Sequence, residues 1–83
     1  MMDKPYFLWD YDLSEDQVKR ILRQGNEAEK CWLTARILEH AHFNDVFKFL
    51  NLQEMVGLFP KLKMRPVARQ YWQRALSAWG YDV

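Results

Sequence analysis

The sequence has one cysteine in 83 residues, Cys31. A single thiol closes no internal disulfide and leaves no cysteine pair for a structural zinc site, so a reducing cytoplasm is the compartment it fits. No apolar run approaches the roughly 20 residues needed to span a bilayer, and no basic n-region leads into an apolar core as in a secretory signal. These absences predict a soluble, cytoplasmic chain with no membrane partner. Alternation of apolar and polar residues, the mark of a half-buried strand, is missing except for a short trace in "PYFLWDYD" near the start. Charge of either sign is not in excess: the formal net charge is +1, which excludes a chain that binds nucleic acid by overall charge. Repeats, low-complexity segments and linkers are absent too.

What is present is aromatic and helical. One domain of this length hides roughly 9,000 Å² of the surface of its extended form, a small core. Four Trp, four Tyr and five Phe fill such a core efficiently, at roughly 150 to 250 Å² per buried ring.

In "LSEDQVKRILRQG" (residues 13 to 25), Ser14 can cap a helix N-terminus, Gln17 can return a capping-box bond, and Leu13 can staple onto Val18. Val18, Ile21 and Leu22 form its apolar stripe, and Gly25 suits the C′ position. A second helix over 27–41 has apolar residues on more than one face, which predicts the most buried position. Asn44 can cap a third helix over 44–50, with Val46, Phe47, Phe49 and Leu50 as its apolar residues. A fourth, 52–59, ends ahead of Pro60. The last, 66–79, begins with Pro66, carries Ala68, Tyr71, Trp72, Ala75, Leu76 and Trp79 at core spacing, and closes at Gly80. The expected fold is all-α: one domain over 1–83, a compact bundle of about five helices behind an extended N-terminal arm, 1–13.

The block "FLWDYDLS" raises a catalytic question, because a hydrophobic run followed by Asp-x-Asp also opens phosphatase and nucleotidyltransferase sites. Those chemistries need a third carboxylate, a phosphate-holding loop or a parallel sheet, and the sequence offers none of them in order. Asp10 and Asp12 are expected to stay solvated or to bond nearby backbone. His40 and His42, two apart, point to different faces and suit helix ends; Cys31 suits a small core residue. No enzyme, metal or cofactor is expected.

Charge is unevenly spread. Lys61, Lys63, Arg65, Arg69 and Arg74 occur with no acid between residues 61 and 74, whereas residues 3 to 16 hold five acids and one lysine. The basic segment can meet an acidic partner or phosphates, and two short helices followed by a longer one permit a helix-turn-helix regulator that binds DNA.

The motifs "FLWDYDLS", "ILRQG", "ARILEHA", "DVFKFL" and "LFPKLKMRP", with a closing W-x-x-A-L, span nearly the whole chain. In these the sequence resembles a group of short prokaryotic helical proteins encoded beside nucleotidyltransferase-like toxins of the abortive-infection type. The resemblance implies an antitoxin that covers or titrates such a toxin. Residues to meet the partner are then sought among the surplus aromatics and the acidic arm: Tyr6, Trp9, Asp10, Tyr11, Asp12, Trp79 and Tyr81. Self-association into a homodimer is the other protein-protein arrangement this composition allows.

Overall fold

A computed structural model describes residues 6–8 and 10–81. Over the described residues the chain is an all-α bundle of five helices: α1 Glu15–Gln24, α2 Glu27–His40, α3 Phe43–Phe49, α4 Leu52–Leu58 and α5 Pro66–Ala78. Two 3-10 turns accompany them, Tyr6–Leu8 in the arm ahead of α1 and Phe59–Lys61 between α4 and α5. No strand occurs among the described residues, and none of their helices is long and apolar enough to cross a membrane.

Most helix starts follow from local sequence. Ser14 Oγ accepts from the Gln17 amide at 3.2 Å while Gln17 Oε1 accepts from the Ser14 amide at 2.8 Å, a complete capping box. Asn26 and Glu29 repeat this at α2. At α4, Asn51 Oδ1 accepts from Gln53 and Glu54. Pro66 opens α5, where its missing N–H is one that the helix cannot use.

The third helix departs from the expected Asn44 cap. It begins at Phe43, with His42 at the N-cap position and no side-chain cap bond. The arm supplies a different bond there: Tyr6 Oη accepts from the amide of the N-cap residue itself, His42, at 2.6 Å and donates to Asp45 Oδ2 at 2.7 Å. A distant hydroxyl thus meets an amide that the local sequence leaves bare.

Two glycines end helices for different reasons. Gly80, at φ +94°, lets the Tyr81 amide donate to Leu76 O at 2.9 Å and its own amide donate to Ser77 O at 3.0 Å. That pair of bonds is a Schellman closure. Gly25 was expected at C′, but it is the C-cap itself and is extended, at φ −69°. Glycine is required there because a Cβ would lie 2.6 Å from the Ile21 carbonyl oxygen.

The core runs through every element. Leu8, Val18, Leu33, Ile37, Val46 and Leu76 are fully buried, with Met55, Phe59 and Trp72 nearly so. Helix α2 supplies five buried residues, Leu33, Thr34, Ala35, Ile37 and Leu38, more than any other helix, as its wrapped apolar pattern predicts. Leu8 seats the arm on the core.

Candidate partner-binding face

Helices α3 and α5 carry aromatic residues that meet side by side. On α3, Phe43 and Phe47 are four apart and share a face, 5.4 Å between ring centroids. On α5, Trp72 lies beneath them: its ring is stacked on Phe43 at 5.7 Å and 8°, and its Nε1 donates to Leu38 O at 2.9 Å. The Trp79 ring, almost two turns on, has its centroid 5.9 Å from that of Phe43 and 5.8 Å from that of Phe47, tilted by 60° and 61°. Tyr71 stands perpendicular to Trp72 at 5.5 Å.

The buried member of this cluster is Trp72; the others stay in water. Phe43 is 41 % exposed, Phe47 37 %, Tyr71 55 % and Trp79 43 %, and neighbouring Val67 on α5 is 80 % exposed. At about 200 Å² for an aromatic side chain, the four rings show on the order of 400 Å² of largely apolar surface. That area falls within the range of the largest apolar patch on an ordinary monomer, which is often functional. Beside it lies a groove of about 540 Å³ between the α2–α3 corner and the first turns of α5, lined by Leu38, Ala41, His42, Phe43, Arg65, Val67 and Tyr71 among others.

Of these four rings the sequence reading nominated Trp79 alone for a partner, while its spacing also set Trp79 on the core stripe of α5. Phe47 was counted among the apolar residues of α3 without a side assigned; Val46 is the fully buried residue of that turn. Tyr71 was placed on the core stripe of α5, and the structure turns it outward. The signal was available: residues 71 and 72 are adjacent, about 100° apart on a helix, so two rings that large cannot share one narrow face. Phe43 sits before the expected start of α3, which hid its pairing with Phe47.

The other nominated aromatic and acidic residues are held to different degrees. Tyr6 is tied to His42 and Asp45, with its ring 5.0 Å from the His42 ring. Partial burial of its hydroxyl is the main influence raising the Tyr6 pKa above 10.0; the His42 amide opposes it, and Asp45 adds to it. Asp10 stays exposed, as expected, and in addition pairs with Arg36 of α2. Arg36 also lies 5.5 Å from the Tyr11 ring, which meets Trp32 edge-on at 4.9 Å. These residues adjoin a second groove, about 570 Å³ along α2, whose lining includes Cys31, Trp32, Arg36, Lys61 and Lys63. Asp12 is exposed. Tyr81 is half-buried against the core. Trp9, also nominated, lies outside the described residues.

The basic segment is largely engaged within the fold. Lys61 Nζ is 2.7 Å from Glu27 Oε1, and this bond lowers the Glu27 pKa and raises that of Lys61. Arg65 pairs with Glu39 at 3.3 Å through Nε, and its amide donates to the same carboxylate. Arg69 turns its guanidinium onto the Phe59 carbonyl, 3.2 Å from both terminal nitrogens, with the carbonyls of Pro60 and Leu62 at 3.5 Å. It also covers the Phe59 ring at 4.8 Å. Lys63 and Arg74 are exposed, with no ion pair among the described residues.

As for chemistry, no group of three or more His, Cys, Asp or Glu able to hold a metal occurs among the described residues. His40 ends α2 and His42 precedes α3. The chain matches no protein-family model, and comparison with curated proteins and with solved structures finds no match either.

Proposed function

We propose that this chain is a non-catalytic binding protein of the cytoplasm, the antitoxin of a nucleotidyltransferase-like toxin, and that it meets the toxin through the α3–α5 aromatic face. The observation that carries the binding role is the exposure of Phe43, Phe47, Tyr71 and Trp79 around the buried Trp72. Packed against Trp72, these rings still leave much of their area uncovered. Buried against a partner, they become the aromatic centre on which interface energy concentrates. The choice of toxin rests on the sequence motifs and their resemblance alone.

The test is co-expression with the nucleotidyltransferase-like product of the neighbouring gene, scoring growth and co-purification together. A stable complex with rescue of growth is expected, and Trp79→Ala, which trims an exposed ring, is expected to weaken both. Growth arrest that persists with no complex formed rejects the antitoxin role.

A further inference from the structure

We infer that the free chain pairs with a second copy of itself through the α3–α5 aromatic face, about a two-fold axis, the rings of each copy covering the groove of the other. This pairing belongs to the chain on its own and does not depend on the antitoxin role; a toxin that takes the same face replaces the second copy.

The exposed area fits a dimer. The four rings show on the order of 400 Å² in each copy, and Val67, 80 % exposed, lies next to them. Two such faces brought together remove about 800 Å² of ring surface from water. Homodimer interfaces are about 65 % apolar, so the whole contact comes to about 1,200 Å², the lower bound for stable specific pairs. A pair of that size comes apart readily and leaves the face open to another partner.

The face also carries both halves of a self-complementary contact. Rings stand at the C-terminal end of α5, where Trp79 and Phe47 are 5.8 Å apart. The groove, about 540 Å³, lies against the first turns of α5, with Val67 and Tyr71 in its lining. Residues 67 and 79 are twelve apart, about 18 Å along a helix. A two-fold axis crossing α5 between them, at right angles to it, lays the rings of each copy over the groove of the other, and such a contact closes at two copies.

Charge opposes the pairing at one place. Arg65 is paired with Glu39 inside the groove lining, and Asp45 stands beside the rings, bonded to Tyr6. Both signs therefore border this part of the face, and no excess of either is set against itself. Arg74 shares a depression of α5 with Val67 and Tyr71, close to the axis, and is brought beside its counterpart, where like charges repel. Salt, or removal of Arg74, must then strengthen the pair. A nucleic acid or an acidic protein held on this face would show the opposite sign.

The test is sedimentation velocity of the full chain over a wide concentration range, at low and high salt. Expected is a mass that rises from one chain to two and no further, with tighter pairing at high salt and in Arg74→Gln. Val67→Asp and Trp79→Ala are each expected to lower the association constant at least about tenfold, with unchanged circular dichroism; Arg20→Glu on α1 should leave it as in the parent. Mixed together, Val67→Asp and Trp79→Ala should associate better than either alone, because the mixed pair keeps one intact contact of rings over groove. A monomer at every concentration, a dimer indifferent to Val67→Asp, assembly beyond two copies, or no recovery in the mixture overturns the inference. Dimerisation without toxin rescue rejects the antitoxin role alone, and rescue by a chain that stays monomeric rejects the pairing alone.

Discussion

The indole Nε1 of Trp72 donates a 2.9 Å hydrogen bond to the carbonyl oxygen of Leu38. Leu38 lies in the last turn of α2, where carbonyls have no helical partner, and the Ala41 amide already serves Ile37. Trp72 thus caps α2 from α5 while its ring floors the aromatic face.

Trp72→Phe should therefore cost more than its loss of apolar area suggests. It leaves a buried carbonyl unmet and a smaller ring in the core, together about 3 kcal/mol. For a chain of this size that lowers Tm by about 15 °C, measurable by thermal circular dichroism. Tyr71→Phe, on the exposed ring beside it, should leave Tm nearly unchanged. Equal effects of the two would contradict the capping role.

The three glycines make an internally controlled series. A Cβ at Gly25 would meet Ile21 O at 2.6 Å, and φ at Gly80 is +94°, whereas Gly57 in α4 has open space around it. Gly25→Ala is expected to destabilise by about 1 to 3 kcal/mol and Gly80→Ala by about 1 kcal/mol. Gly57→Ala should stabilise by up to about 1 kcal/mol, the helix propensity difference. Urea denaturation of the three variants gives the order; stabilisation by Gly25→Ala would contradict the close approach described.

These contrasts show which features were legible from sequence. The Ser14–Gln17 box and the Gly80 closure were readable because every atom they use lies within a few residues. Asn26 with Glu29 carries the same local signature. The start of α3 was not readable, since the group that accepts from the His42 amide belongs to Tyr6, thirty-six residues earlier. Arg69 was misleading for a similar reason: spacing along α5 suggests an outward cation, and the carbonyls that hold it lie on the turn after α4. Of the aromatic face, Trp79 could be nominated from its place near the chain end; Phe43, Phe47 and Tyr71 become a surface only once two helices are set side by side.

The Tyr6 latch makes a pH prediction. Its hydroxyl pKa is raised in the folded protein. A raised folded value means that the stabilisation is complete below the unfolded value of about 10 and is lost as pH rises through the folded one. At neutral pH, Tyr6→Phe should lower stability by about 1 kcal/mol and speed hydrogen exchange of the His42 amide. The stability gap between parent and variant should then shrink as pH rises above about 10. Denaturation curves across that range check it, and a gap that stays constant would rule out the phenolic hydroxyl as its origin.

The basic segment separates a fold effect from a binding effect. Arg69 holds the carbonyls of Phe59, Pro60 and Leu62 with a planar fork, a geometry that lysine cannot reproduce. Arg69→Lys should therefore lower stability by about 1 to 2 kcal/mol, with no nucleic acid present. Lys61→Ala removes an exposed pair with Glu27 and should leave Tm unchanged. Lys63 and Arg74 make no ion pair among the described residues, so the double variant Lys63→Ala, Arg74→Ala should fold as the parent does. It is the variant that can test DNA binding: duplex DNA held through this segment must weaken in it and show a shallower salt slope. Weakening confined to Arg69 variants, in step with their lowered Tm, would instead trace the effect to the turn after α4.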